Sequence, residues 1–238
     1  MAMSNEPESH GAYHAGLDRF LAHISRDSGM PIGEFQSELV DLFEVPRSRQ
    51  DLDDYRLSRG PWKKLADEVS PVSQFFRYLG IVAGSVRFPL DSIHPDCWLT
   101  KSPGVDPIGV EVTIAMARQR FHVATEMVQT GVGRGFLGKR DDAPKAEFDA
   151  AMARRRTMYS TEHALKAVRD GVLRCMAKKD QPKFAGYILL IEAPFRSIPE
   201  SRWSAIEDEL RQAASPLPFA EVHVVSDAYE DTSGMRLK

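Results

Sequence analysis

The chain has 238 residues, a formal charge of −3, 42% hydrophobic and 27% charged content, enough apolar material for a sizeable core and no overall basic excess to mark a nucleic-acid binder. No apolar run approaches the roughly 20 residues needed to cross a bilayer, so a membrane-spanning helix is excluded from the reading. Two cysteines, Cys97 and Cys175, form neither a disulfide framework nor a metal knuckle, and are expected to be buried thiols.

In chain order, residues 1 to about 13 are polar and aperiodic and read as disordered or tag-like. They lack the basic start and apolar centre of a secretory signal, so cytoplasm is the expected location. Leu17, Phe20, Leu21 and Ile24 recur at helical spacing, and Phe35, Leu39, Leu42 and Phe43 repeat the pattern after a break at Pro31-Ile32-Gly33. From Glu44 to Gly60 the chain is charged and holds Pro46, as in a connection or a short polar helix. Pro61 is placed to start a helix that Gly80 ends, with Pro71 marking a kink or a junction of two helices.

Strands are expected over Ile81 to Leu90, ending in Val86-Arg87-Phe88, then around His94-Pro95-Asp96-Cys97-Trp98-Leu99, and again over Gly109 to Ala115. A helix follows through Met116, Phe121, Met127 and Val128, then a glycine-rich loop from Gly131 to Gly138 and a polar helix within Ala143 to Met158. Ser160 or Thr161 is expected to cap the strongest helix, whose apolar stripe is Ala164, Leu165, Val168, Val172, Leu173 and Met176, and which ends at Lys178-Lys179. Tyr187 to Ile191 reads as a strand covered on both faces, Ile198 to Ala214 as a helix, and Ala220 to Val225 as a last strand. The fold class is therefore α/β, a mixed central sheet flanked by helices. Residues 1–60 are a disordered start plus a helical N-terminal extension, unless they pack as part of the core, and residues 61–238 are the α/β domain.

The chemistry concentrates in two carboxylates set in β-favouring segments, Asp96 and Glu111. Burying an acid costs several kcal/mol unless a cation or donor compensates, and a divalent metal between the two would do so. Alternation places Glu111 and Thr113 on one face of their strand.

Helix, strand, Pro-Asp, turn, Glu-Val-Thr, helix resembles the core of the PD-(D/E)xK nuclease-like superfamily, over roughly Pro61 to Ser226. The resemblance implies a restriction-endonuclease-like core and a metal-dependent nuclease that hydrolyses phosphodiester bonds, with DNA the favoured substrate. It implies that Asp96, Glu111 and Glu68 hold Mg²⁺ or Mn²⁺, with the Val112 carbonyl completing the coordination. A homodimer or larger assembly would be in keeping with the superfamily. The family pattern has lysine where this chain has Thr113, whose neutral hydroxyl cannot supply the missing charge. Candidates for its replacement are Gln119 first, then Lys101, Arg118 and His122. The alternative is a catalytically silent member, acting as a nucleic-acid-binding or protein-interaction module.

From Arg118 to Arg156 nine basic residues face five acidic ones, which permits a phosphate-facing surface. Within it, Gly133 to Lys139 meets half of a phosphate-binding loop pattern, but Arg140 stands where Ser or Thr would hold Mg²⁺, and the loop follows a helix instead of a strand. A basic loop is the simpler reading. The run Arg154-Arg155-Arg156 reads as a solvated face, and Trp62, Trp98 and Trp203 as core residues.

Overall fold

A computed structural model describes residues 7–91, 93–154, 158–228 and 231–238. Helix α1 (Pro7–Ile24) begins within the stretch expected to be disordered; Pro7 at its first position suits a helix start, because proline has no N–H to leave unbonded there. Residues 1–6 lie outside the described residues. After a two-residue strand β1 (Met30–Pro31) come α2 (Ile32–Glu44) and α3 (Arg49–Arg56), the short polar option for the 44–60 span.

The next helix takes neither of its simplest forms. It runs as α4 (Trp62–Lys64), a π-helical segment Leu65–Val69 and α5 (Ser70–Leu79), ending at Gly80 with φ 64°. Pro71 has no N–H to donate, and the wider turn just before it absorbs that defect without breaking the helix. The π segment carries Asp67 and Glu68.

Strands β2 (Ser85–Arg87), β3 (Cys97–Thr100) and β4 (Ile108–Ile114) follow. Then come α6 (Ala117–Thr130), α7 (Lys145–Ala153), α8 (Thr161–Lys179), β5 (Ile188–Ala193), α9 (Ser204–Ala214), β6 (Glu221–Ser226) and β7 (Gly234–Arg236). Ser160 caps α8, its hydroxyl accepting from the His163 N–H at 3.2 Å. The seven strands among the described residues form one mixed sheet in sequence order, parallel at β4–β5 and β5–β6 and antiparallel elsewhere.

One face of the sheet packs against α1, α2 and α5, through Leu17, Phe35, Phe76, Val110, Val112 and Ile188 among others. Residues of α1 and α2 thus share a core cluster with residues of β4 and β5. The other face packs against α8 and α9, through Val168, Val172, Leu189, Ile191 and Leu210. Every residue of β5 is buried, as a strand covered on both faces requires. Both cysteines are buried free thiols, and Trp62 and Trp203 are buried, whereas Trp98 is half-buried beside Tyr187. No helix among the described residues is long and apolar enough to cross a membrane.

Candidate functional site

Antiparallel pairing puts Cys97 opposite Val110, which brings Asp96, one residue before β3, opposite Glu111 in β4. Asp96 is therefore not a strand residue. It follows the cis His94–Pro95 peptide, and its Oδ2 accepts from the Val112 N–H at 2.7 Å, so the side chain replaces a ladder partner where the two strands part. Val112 joins the site through that N–H.

Glu111 is fully buried, and both its oxygens are engaged. Oε1 accepts from Lys179 Nζ, and Oε2 lies 2.8 Å from His94 Nδ1. Lys179, the last residue of α8, also stands over the Phe184 ring, 5.5 Å from its centre, with His94 packed edge-on to the same ring. A side chain that from sequence only closes a helix is thus the cation beside the buried acid. The two residues lie 68 positions apart, and only the parallel β4–β5 connection brings them together.

Glu68 comes from the π segment, which packs on β4. Its Oε1 accepts from Lys64 Nζ at 2.6 Å, and Lys64 also donates to the Asp91 carbonyl. Glu68 Oε2 is buried and has no hydrogen-bond partner among the described residues. Burial pushes the Glu68 carboxyl up to about 7, against the Lys64 hydrogen bond, and the charge of Asp96 adds to the rise. Asp96 is likewise raised, by burial first and then by the charge of Glu111, with the Val112 N–H, Lys179 and Lys64 opposing.

The other expected residues stand elsewhere. Thr113 does share the α8-facing side with Glu111, yet its hydroxyl donates to Cys175 Sγ at 3.6 Å, so it serves helix packing. Lys101 follows the far end of β3 from Asp96 and faces Glu221 at 3.8 Å. Gln119 is buried, and its Oε1 accepts from the N–H groups of Leu137 and Gly138, both at 2.9 Å. It holds the glycine-rich loop and not the acids, because the first turn of α6 projects it toward that loop. Replacing it with Leu leaves both N–H groups without an acceptor, an expected loss of about 2 kcal/mol in urea unfolding, with Gln119→Glu much milder. Arg118 donates to the Asp141 and Ala143 carbonyls, and His122 stacks on Phe148 at 4.7 Å.

Among the described residues, four of the nine basic residues of the segment are paired with acids of the same segment. Arg134 pairs with Glu126, Lys139 with Glu147, Arg140 with Asp142 and Lys145 with Asp149. Arg155 and Arg156 lie outside the described residues. Neither cysteine has the character of a nucleophile, since burial raises both thiols.

The one set of three or more His, Cys, Asp or Glu ligand atoms within 4.8 Å of one another among the described residues is His23, Glu34 and Glu38, not Glu68, Asp96 and Glu111. The latter three nonetheless fit a hard cation in kind. The unpartnered Glu68 oxygen and two acids with raised pKa form a deficit of positive charge that a divalent ion would relieve. No family model, curated protein or solved structure matches this chain.

Proposed function

We propose that the succession α5, β2, β3, β4, α8, β5 is a restriction-endonuclease-like core, and that the chain is a metal-dependent nuclease with DNA the favoured substrate. The observation that carries this reading is Asp96 facing Glu111 where β3 and β4 part, with Lys179 on Glu111 and Glu68 beside Asp96. Glu68, Asp96 and Glu111 would hold Mg²⁺ or Mn²⁺, which when bound lowers the pKa of water and neutralises charge on phosphorus oxygens. Lys179 provides, from α8, the positive charge that Thr113 does not. Its ammonium is held against Glu111 and the Phe184 ring, so it is positioned before substrate arrives.

A second reading, a silent nucleic-acid-binding or protein-interaction module, is favoured by one fact: both Glu111 oxygens already have protein partners. Calorimetric titration of Mg²⁺ and Mn²⁺, followed by cleavage assays on DNA and RNA, separates the two. The nuclease reading expects binding and cleavage by wild type, with both lost in an Asp96→Asn variant whose thermal midpoint is little changed. Absence of divalent binding and of cleavage in wild type supports the silent module. Cleavage that survives Asp96→Asn removes the assigned site.

A further inference from the structure

Away from the acid centre, two cavities open side by side at the carboxyl ends of β5 and β6. The outer one is about 740 Å³ and the inner one about 330 Å³, and they share Gly135, Pro194 and Asp227. Both volumes fall within the range of small-molecule sites. The length of α8 separates the outer cavity from the acid centre, since Ser160 lines that cavity and Lys179 meets Glu111, about 28 Å apart at 1.5 Å per residue, whereas the inner cavity reaches Ala66 and Ile114, two residues from Glu68 and Val112.

The chambers differ in chemistry. The outer one is basic, lined by Lys139, Arg154, His163 and Arg196. Lys139 is matched by Glu147, but no carboxylate among the described residues lies within ion-pair distance of Arg154 or Arg196. Its wall is the glycine-rich loop, tied down by Tyr159 Oη donating to the Leu137 carbonyl and by Gln119 from below. The inner chamber has apolar walls from Leu39, Met116, Val123 and Met127. Its polar floor is Arg120, whose guanidinium lies 2.8 Å from Glu192 Oε1 and also donates to the Ala66 carbonyl.

Asp227 stands on the boundary, open to solvent yet crowded by protein. That crowding pushes its carboxyl up to about 6, with Arg120 and Arg196 opposing. Glu192 is deeply buried and pushed up to about 7, so near neutrality it can both donate and accept a hydrogen bond.

We infer that this cleft binds a nucleoside monophosphate, phosphate in the basic outer chamber, ribose hydroxyls on Asp227, and base in the apolar inner chamber against Arg120 and Glu192. The order of the chambers matches the order of the ligand's parts: two guanidinium groups with no carboxylate at ion-pair distance among the described residues for a dianion, a carboxylate for a diol, and apolar walls with a donor–acceptor floor for a heterocycle. This is not a P-loop, since no strand leads into the glycine-rich segment. The inference does not rest on the nuclease reading.

Titration calorimetry of the full chain with AMP, GMP, CMP and UMP, with adenosine, and with inorganic phosphate tests the inference. At least one monophosphate should bind more than ten-fold tighter than both adenosine and phosphate. Arg196→Ala, a change at an exposed residue, should weaken that binding at least ten-fold. So should Gly135→Trp, which fills the shared boundary at a position where a Cβ meets nothing within 4 Å. Asp96→Asn should leave the affinity unchanged. Failure of all four monophosphates to bind overturns the inference, as does phosphate binding as tightly as the best nucleotide. Binding indifferent to Arg196→Ala overturns it too, and binding lost in Asp96→Asn reassigns the nucleotide to the acid centre.

Discussion

Lys179→Ala is expected to destabilise the fold by about 3 kcal/mol, because it leaves Glu111 buried with only the partly exposed His94 beside it. The large value comes from the acid left behind, not from the net worth of the pair. A buried ion pair gains little over apolar residues of the same size, whereas a lone buried carboxylate keeps its full desolvation cost. The double variant Glu111→Leu/Lys179→Met should therefore recover most of the loss, with Phe184 beside position 179 and Leu189 paired with position 111. Urea unfolding of wild type, single and double variants measures both, read at constant m so that the midpoint reports stability. A single variant within about 0.5 kcal/mol of wild type would mean that the pair does not hold the end of α8 to β4. If the acid centre is a nuclease, both variants are also inactive, and the recovered stability of the double variant shows that activity was not lost through unfolding.

The second large effect is a loss of stability as pH rises through neutrality. Glu192, packed under α6, has its carboxyl pushed up to about 7 by burial, which outweighs the charge of Arg120. In the unfolded chain the same group titrates near 4.5. Between those values the folded state binds more protons than the unfolded one, so stability falls as pH rises and levels off above the folded pKa. At about 1.4 kcal/mol for each pH unit between the two values, Glu192 alone contributes a fall of roughly 2–3 kcal/mol from pH 5 to 8. Glu68, also raised to about 7, adds to it with a smaller, solvent-screened share. Asp227, raised to about 6, acts in the same direction but chiefly at lower pH. His122 and His223 act with the opposite sign: burial lowers both, so they favour the fold as pH rises toward 6.5. Above pH 6.5 the histidines no longer oppose, and Glu192 supplies there the last ~1 kcal/mol of its fall. Glu192→Gln keeps an oxygen for Arg120 and removes the titration, so its midpoint in urea should be much flatter from pH 6.5 to 8. A variant as steep as wild type would show that Glu192 is not the group responsible.

Much of the architecture is legible in the sequence because each signal is local. The stripe of α8, the cap at Ser160, the buried run of β5 and the stop at Gly80 depend on residues a few positions apart. The features that escape such a reading are elements too short for a periodic signal, or defects absorbed by context. Strands β1 and β7 have two and three residues and exist through their pairing with β2 and β6. Pro71 is legible as an interruption, but the π segment that accommodates it is not. The run Cys97-Trp98-Leu99 suggests a strand that takes in Asp96, which lies one residue outside it.

The candidate site divides along the same line. By itself the sequence determined the order of the longer helices and strands, the face shared by Glu111 and Thr113, and the two acids that need a partner, since those follow from backbone geometry and desolvation. Only the tertiary structure decided the partner. Lys179 meets Glu111 because α8 returns the chain to a strand parallel to β4, and Gln119 instead meets the glycine-rich loop because α6 turns it there. A long side chain finds a charge through packing across many residues, and no local pattern encodes that distance.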